Sequence, residues 1–460
     1  MSVPLEPRVV PASLEAWLAY QTEVHSQPID LGLGRLRTVL DRLGWRQPTV
    51  PVITVGGTNG KGSVAAYCCA ILGAAGHRVG GFTSPHLRDY RERIRIAGRL
   101  VDTAALLRAF ERIETARGDV TLTFFEYNTL AALLVFEAAG LDAWVLEIGM
   151  GGRLDAVNVV DPAVAVVVSI GFDHQEYLGT TLEAIGAEKA GIFRRGVAAV
   201  LGSRSMPDVV EGTARSIGAP LKRLGIEFDC VRGATDWAYR GTRWRLPHLP
   251  APGLFGDTQY GNAATAIAAL EEIEPRLASE AGAIGAGAVA RGLAGVQLAG
   301  RFQMIASDGA RPAWILDVSH NADAALVLAR NLESLGAGGR TLAVCGLLTD
   351  KDAVAIIEML RNRFDEWWFA STTGARGTTG AALAAQLGPL LRVPFHACAD
   401  IAAACAAAAL CARAVDRIVV FGSFHSVGPA LDWLESAGVL PSHPASEYTD
   451  APIGTWPSGT

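Results

Sequence analysis

Short β-branched runs that stop at glycine, aspartate or serine recur along this chain, and they narrow its fold more than any other feature. VPVITVGG (Val50 to Gly57), AWVLEIGMGG (Ala143 to Gly152), AVAVVVSIGFDH (Ala163 to His174) and AAVLGS (Ala198 to Ser203) are short and almost wholly apolar. Such runs suit the central strands of a parallel sheet buried on both faces. SVAAYCCAILGAAGH (Ser63 to His77) lies between the first two, is Ala-rich and ends in a glycine stop, as a crossover helix does. A second series follows: AWILDVSHN (Ala313 to Asn321), TLAVCGLLTDKD (Thr341 to Asp352), EWWFAST (Glu366 to Thr372) and DRIVVFGSFHS (Asp416 to Ser426). It too alternates with helical stretches, such as ADAALVLARNLESLGA. The fold class is therefore α/β. An N-terminal parallel-sheet domain is expected over 1–298, a smaller Rossmann-like domain over 299–440, and a loosely attached Pro/Ser/Gly-rich tail over 441–460.

A chain of 460 residues exceeds one ordinary core, and two domains imply a cleft between them. With 50% apolar and 19% charged residues the chain is globular. Its net charge of −6 offers no global attraction to nucleic acid or an anionic membrane, so small-molecule partners are the default. The Arg-rich stretch His86 to Arg99 reads either as a solvated face beside a short strand or as a patch steering an anionic substrate. The 7 cysteines form no CxxC pair and read as buried thiols in a reducing compartment. Neither a secretory signal nor an apolar run of spanning length is visible, which makes the cytoplasm the simplest address.

The first run leads into GGTNGKGS (Gly56 to Ser63), a glycine-rich loop between strand and helix that marks the domain as P-loop ATPase-type. In such a loop, backbone N–H groups of Thr58, Asn59 and Gly60 converge on phosphate oxygens, and Lys61 neutralises the outer phosphates. The usual pattern ends Gly-Lys-Ser/Thr, yet here Gly62 separates Lys61 from Ser63. The hydroxyl that would hold magnesium is displaced, so the metal needs other hard donors. Strand ends offer Ser84, Glu147 and the Asp173-His174 pair. Taken singly, Ser84 reads equally as a turn residue, Glu147 as a surface carboxylate, His174 as a loop histidine, and Lys189 in GAEKAGIF as a solvated lysine.

Together, GGTNGKGS, FTSPHL, LEIGMGGRLDAVN, DHQEYLG, EKAGIF, GNAATA, GRF, DVSHN and GSFH stand in the order found in the folylpolyglutamate synthases of the Mur ligase superfamily. The chain most resembles their bifunctional, dihydrofolate-forming branch, from about Ile29 to Val427. In that family a residue between the loop lysine and the hydroxyl is normal. The resemblance implies ATP as cofactor, bound by Thr58 to Ser63 with Asn262, Arg301 and Asp317. It implies two Mg2+ ions, with Ser84, Glu147 and His174 as ligands, and matches Lys189 to a lysine that is carbamylated in the superfamily. Thr123, Phe124, Phe125, Glu126, Leu154, Asp155 and Ala156 fall in the stretches assigned to the pterin, and His320 and Ser423 match positions tied to glutamate binding or catalysis. The chain departs from the family at Ser319 and Ala322, where members carry Ala and Pro.

The implied activity is ATP-dependent addition of L-glutamate to dihydropteroate and to reduced folates through an acyl phosphate, with Lys61, His174, Lys189, Asp317 and His320 at the chemistry, in a monomer. Two rivals stand beside it. One is another Mur-type amino-acid ligase, against which the SPHL and LDAVN stretches count. The other is a P-loop nucleotide switch without ligation chemistry.

Overall fold

A computed structural model describes residues 11–277, 282–336 and 338–441. The expected tail lies, but for its first residue, outside the described residues.

The first β-branched run forms β1 (Val52–Gly56), buried along its whole length. With β2 (Val79–Phe82), β3 (Ile94–Ile96), β4 (Arg99–Leu100), β5 (Ala143–Glu147), β6 (Val164–Val167), β7 (Ala198–Leu201) and β8 (Leu221–Arg223) it builds an eight-stranded sheet. The order is β4-β3-β2-β5-β1-β6-β7-β8. β1 thus sits between β5 and β6, parallel to both. Its register sets Val55 level with Glu147 and Val166, so three strands deliver their carboxyl ends to one place.

The crossover helix Lys61–Ala74 covers one face of this sheet with Val64, Tyr67, Cys68, Ile71 and Leu72. Each such buried side chain contributes about 1.5–3 kcal/mol. The helix Ala286–Gly295 approaches it so closely that a Cβ on Gly292 would stand 2.5 Å from Ile71 Cα. The same layer holds an antiparallel sheet of β9 (Asp229–Arg232), β10 (Trp237–Arg240) and β11 (Arg245–Leu249), whose Trp237 and Tyr239 join the core under the helix Thr258–Ile273.

The second series forms β12 (Gln303–Ile305), β13 (Ala313–Asp317), β14 (Thr341–Cys345), β15 (Glu366–Ala370), β16 (Phe395–Cys398) and β17 (Arg417–Phe421). Their order is β12-β13-β17-β14-β15-β16. Two edges depart from the purely parallel reading. β3 and β4 pair antiparallel at one end of the first sheet, and β12 pairs antiparallel with β13. These are short strands next to tight turns, where a hairpin needs no crossover helix. Among the described residues no helix is long and apolar enough to cross a membrane.

Candidate active site

The loop after β1 is held from beneath. Thr58 N donates to Ser169 O at 2.8 Å, and Asn59 N donates to Ser169 Oγ at 3.0 Å. Thr58 Oγ1 closes a pair with Gly171, donating to its O at 3.1 Å and accepting from its N at 3.0 Å. Gly60 takes φ +85°, and a Cβ there would stand 2.8 Å from Val168 and 2.9 Å from Asn262 Oδ1. Only glycine fits.

Two lysine side chains, Lys189 buried and Lys61 half-buried, meet at this loop. Lys61 Nζ donates to Gly57 O at 3.0 Å and to Thr58 O at 3.2 Å, and Lys189 Nζ donates to the same Gly57 O at 3.0 Å. Burial lowers the pKa of Lys61. Burial, followed by repulsion from Lys61, pulls Lys189 down to about 7. Two cations sharing one neutral acceptor in a desolvated loop make a strong site for negative charge.

Glu147, at the end of β5, is the nearest counter-charge. Its carboxylate accepts from Ser84 N at 3.1 Å, and burial raises its pKa. His174, at φ +50°, starts the short helix Gln175–Leu178, and burial pushes its pKa down to about 4. Among the described residues no three His, Cys, Asp or Glu side chains cluster as a metal site. A divalent cation would need a mixed donor set, and Ser84, Glu147 and His174 are the residues expected to supply it. The set fits: Ser84 and Glu147 adjoin and supply oxygen donors, and an uncharged imidazole is the ligating form.

Gly62, the residue that breaks the usual pattern, faces the second half of the chain. A Cβ on it would lie 3.7 Å from Arg301 Nη2 and 3.8 Å from both Glu147 carboxylate oxygens. Ser63 is buried one residue further into the helix. Arg301 lies with its Cζ 5.3 Å from the Phe424 ring centroid. Asp317, at the end of β13, accepts from Phe302 N at 2.8 Å, from Ser319 N at 2.9 Å and from Ser319 Oγ, and burial raises its pKa. Asn262, on the helix Thr258–Ile273, stands over Gly60.

Beside this cluster a cavity of about 1360 Å³ opens between the two sheets. Its wall includes Ser84 and His174, then Thr123, Phe125, Glu126, Leu154, Asp155 and Ala156, and finally His320 and Ser423. Thr123 and Glu126 form a capping box at the start of the helix Phe124–Ala138. Asp155 accepts from Met150 N and Val157 N, both at 2.9 Å, and burial pushes its carboxyl up to about 6. Phe125 lies against Gly149, where a Cβ would stand 2.4 Å from its ring. Phe124 is outside the wall, packed edge-on against Tyr90 with Arg93 above it. Ser423 turns its hydroxyl inward, 2.9 Å from Ser426 Oγ.

The structure adds Lys351 and Asn321, which the sequence reading did not single out, and joins them to residues that it did. His320 Nδ1 donates to Val318 O at 2.8 Å, which aims Nε2 at Asp173 Oδ2, 3.2 Å away. Lys351 Nζ reaches Asp173 Oδ1 at 2.6 Å. The hydrogen bond from His320, followed by the charges of His174, His320 and Lys351, holds Asp173 well below the usual carboxylate range despite burial. Asn59 and Asn321 exchange amide hydrogen bonds of 3.2 and 3.1 Å. Lys351 follows β14 in TDKD, so its place past a strand's carboxyl end was a usable signal.

Residues 55–202 match the Mur ligase middle domain, and residues 300–424 match the Mur ligase glutamate ligase domain. Fold and matches together define a Mur-type ligase. The dihydrofolate synthase/folylpolyglutamate synthase of Escherichia coli K12 is 41% identical over 423 residues, covering 92% of this chain and 96% of the relative. The protein of the same name from Haemophilus influenzae is 37% identical, covering 90% and 96%. E. coli FolC in complex with DHPP and ADP superposes with a TM-score of 0.86 at 41% identity, over 94% of this chain and 100% of that one. A bifunctional folylpolyglutamate synthase/dihydrofolate synthase with Mn, AMPPNP and L-glutamate bound gives 0.82 at 39% identity, over 93% and 99%. The chain belongs to the dihydrofolate synthase/folylpolyglutamate synthase family.

Proposed function

We propose that this chain is an ATP-dependent ligase that adds L-glutamate to dihydropteroate, forming dihydrofolate, and to reduced folates, lengthening their glutamyl tails. The observation that carries the reading is the pair of lysine side chains, Lys61 and Lys189, that donate to one loop carbonyl beside a cavity walled by both halves of the chain.

A carboxylate is a poor electrophile. Its oxygen attacks the γ-phosphorus of ATP, the bond to the β-phosphate oxygen breaks, and ADP leaves with an acyl phosphate behind. The amine of L-glutamate then adds to the acyl carbon and inorganic phosphate departs, giving the amide. Lys61 and the loop N–H groups offset the charge on the moving phosphoryl group. Ser84, Glu147 and His174 would hold the divalent cation, which when bound neutralises phosphoryl oxygens. Lys189, with a substantial share of free amine near neutral pH, is suited to carbamylation, which would replace a cation with an anion beside the loop. Asn262, Arg301 and Asp317 form the nucleotide's outer boundary. Asp155, Glu126 and Phe125 serve the pterin end, with Asp155 accepting from ring N–H groups. His320 and Ser423 serve the amine side. The working units are 1–298 and 299–440. A monomer in the cytoplasm is the simplest state, and the 7 free cysteines are compatible with it.

The test is phosphate release by the purified protein with Mg-ATP and L-glutamate, comparing dihydropteroate, tetrahydrofolate and neither, with product mass determined. One added glutamate on both acceptors is the expected result. Absence of acceptor-dependent phosphate and of a mass increase, in a folded protein that binds ATP, would sink the reading.

A further inference from the structure

We propose that Arg376 is the cation that recognises a carboxylate of the incoming amino acid, on a loop prebuilt for that purpose. The inference rests on the function proposed above and names a residue that function leaves open.

The incoming glutamate reacts through its amine and keeps both carboxylates, so it brings two negative charges beside a triphosphate and needs cations to meet them. Lysine and arginine line the cavity at Arg88, Arg91, Arg93, Lys351 and Arg376. Most of these are held already. Arg88 grips Glu435 at 2.7 and 2.8 Å and Asp432 at 2.6 Å. Arg91 lies 2.6 Å from Asp89, and Lys351 lies 2.6 Å from Asp173. Arg93 is buried, its Nε on His86 Nδ1 at 2.8 Å and its Cζ 5.5 Å from the Phe124 ring centroid.

Arg376 is different. Its side chain is 51% exposed and reaches Asp350 through Nη1 alone, at 3.2 Å. Its guanidinium makes no other hydrogen bond among the described residues. The remaining fork has the planar, two-pronged geometry that suits a carboxylate.

The backbone beneath it is rigid. Thr349 N donates to Arg376 O at 2.9 Å, Thr372 N to Thr378 O at 2.9 Å, and Thr378 N to Thr372 Oγ1 at 3.0 Å. Gly377 is so tightly enclosed that a Cβ would stand 2.3 Å from Thr372 O. A fixed base under a free guanidinium limits the ordering cost of binding. His425, on the same wall, stands close enough to Arg376 for the charge to help lower its pKa, after burial.

The experiment compares wild type, Arg376→Ala and Arg376→Lys, each checked for an unchanged melting curve. KM for L-glutamate should rise at least about tenfold in the alanine variant and partly recover with lysine, while KM for ATP and for dihydropteroate stays put. The preference of wild type for L-glutamate over one of its two monoamides should collapse in the alanine variant. A glutamate KM within about twofold of wild type, or a parallel rise in all three constants, overturns the proposal. If wild type itself releases no phosphate, the proposed function falls. Calorimetric titration of L-glutamate into wild type and Arg376→Ala then decides the inference, which equal affinity or absence of binding would overturn.

Discussion

At the nucleotide loop on the N-terminal side two lysines turn inward, Lys61 and Lys189 both donating to Gly57 O, whereas on the C-terminal side the Arg376 guanidinium stands half exposed with one contact. The first arrangement is dry and prepositioned, so every charge in it acts at low dielectric. The second keeps its guanidinium hydrated until an anion arrives. A ligase of this kind needs both: one wall that stabilises a transient phosphoryl group without rearranging, and one that admits and releases an amino acid each turnover. The walls meet at Asp173–Lys351 and at Asn59–Asn321.

The sharpest way to break the comparison is Lys61→Met. It should lower glutamate-dependent phosphate release about a thousandfold while the melting curve holds, because the loss is confined to the transition state. Next in size is Asp173→Asn, which leaves Lys351 buried opposite a neutral group. With side chains 10% and 7% exposed, the pair should cost about 3 kcal/mol when broken, read by denaturant unfolding of the junction. Lys189→Arg should reduce turnover about a hundredfold, since a guanidinium stays charged and forms no carbamate.

The pH dependence of Lys189 sharpens the same point. Its pKa falls from the ordinary 10.5 to about 7, so the folded protein holds a neutral amine that the unfolded chain would protonate. Stability through this group is therefore complete above 10.5, declines as pH falls toward about 7, and is flat below. A carbamate signal from isotopically labelled bicarbonate should grow as pH rises through about 7, and a pH-independent absence of that signal would remove the modification from the mechanism.

Smaller effects follow. Asp155→Asn should raise KM for dihydropteroate about tenfold and leave KM for ATP unchanged, measured by initial rates. Arg88→Ala should cost about 2 kcal/mol in unfolding, because it loses a two-pronged pair with the largely buried Glu435, while the contact with the exposed Asp432 is screened and adds little.

What the sequence made legible follows from range. β1, β5, β6 and β7, and later β13, β14, β15 and β17, announce themselves because strands buried on both faces must be continuously apolar. β9 to β11 gave no such signal, since the buried Trp237 and Tyr239 alternate with Ala238 and Arg240, and Arg240 pairs with Asp229 on the outer face. The phosphate loop is local, and its glycines declare it. Asp173 and Lys351 are 178 residues apart, and only the fold brings them together. Phe124 and Phe125 looked alike in sequence, yet as helical neighbours they point about 100° apart, and only Phe125 reaches the cavity.

The Asn59–Asn321 exchange is a hydrogen-bonded junction between the walls that carries no charge. Each amide gives one hydrogen bond and takes one, so neither acid, base nor salt alters the count. Both bonds call for the same placement of the nucleotide loop against the start of the helix Ala322–Ser334, so the pair fixes one register between them. A junction of that kind reports position alone, and the ionic contact beside it is left to report the chemistry.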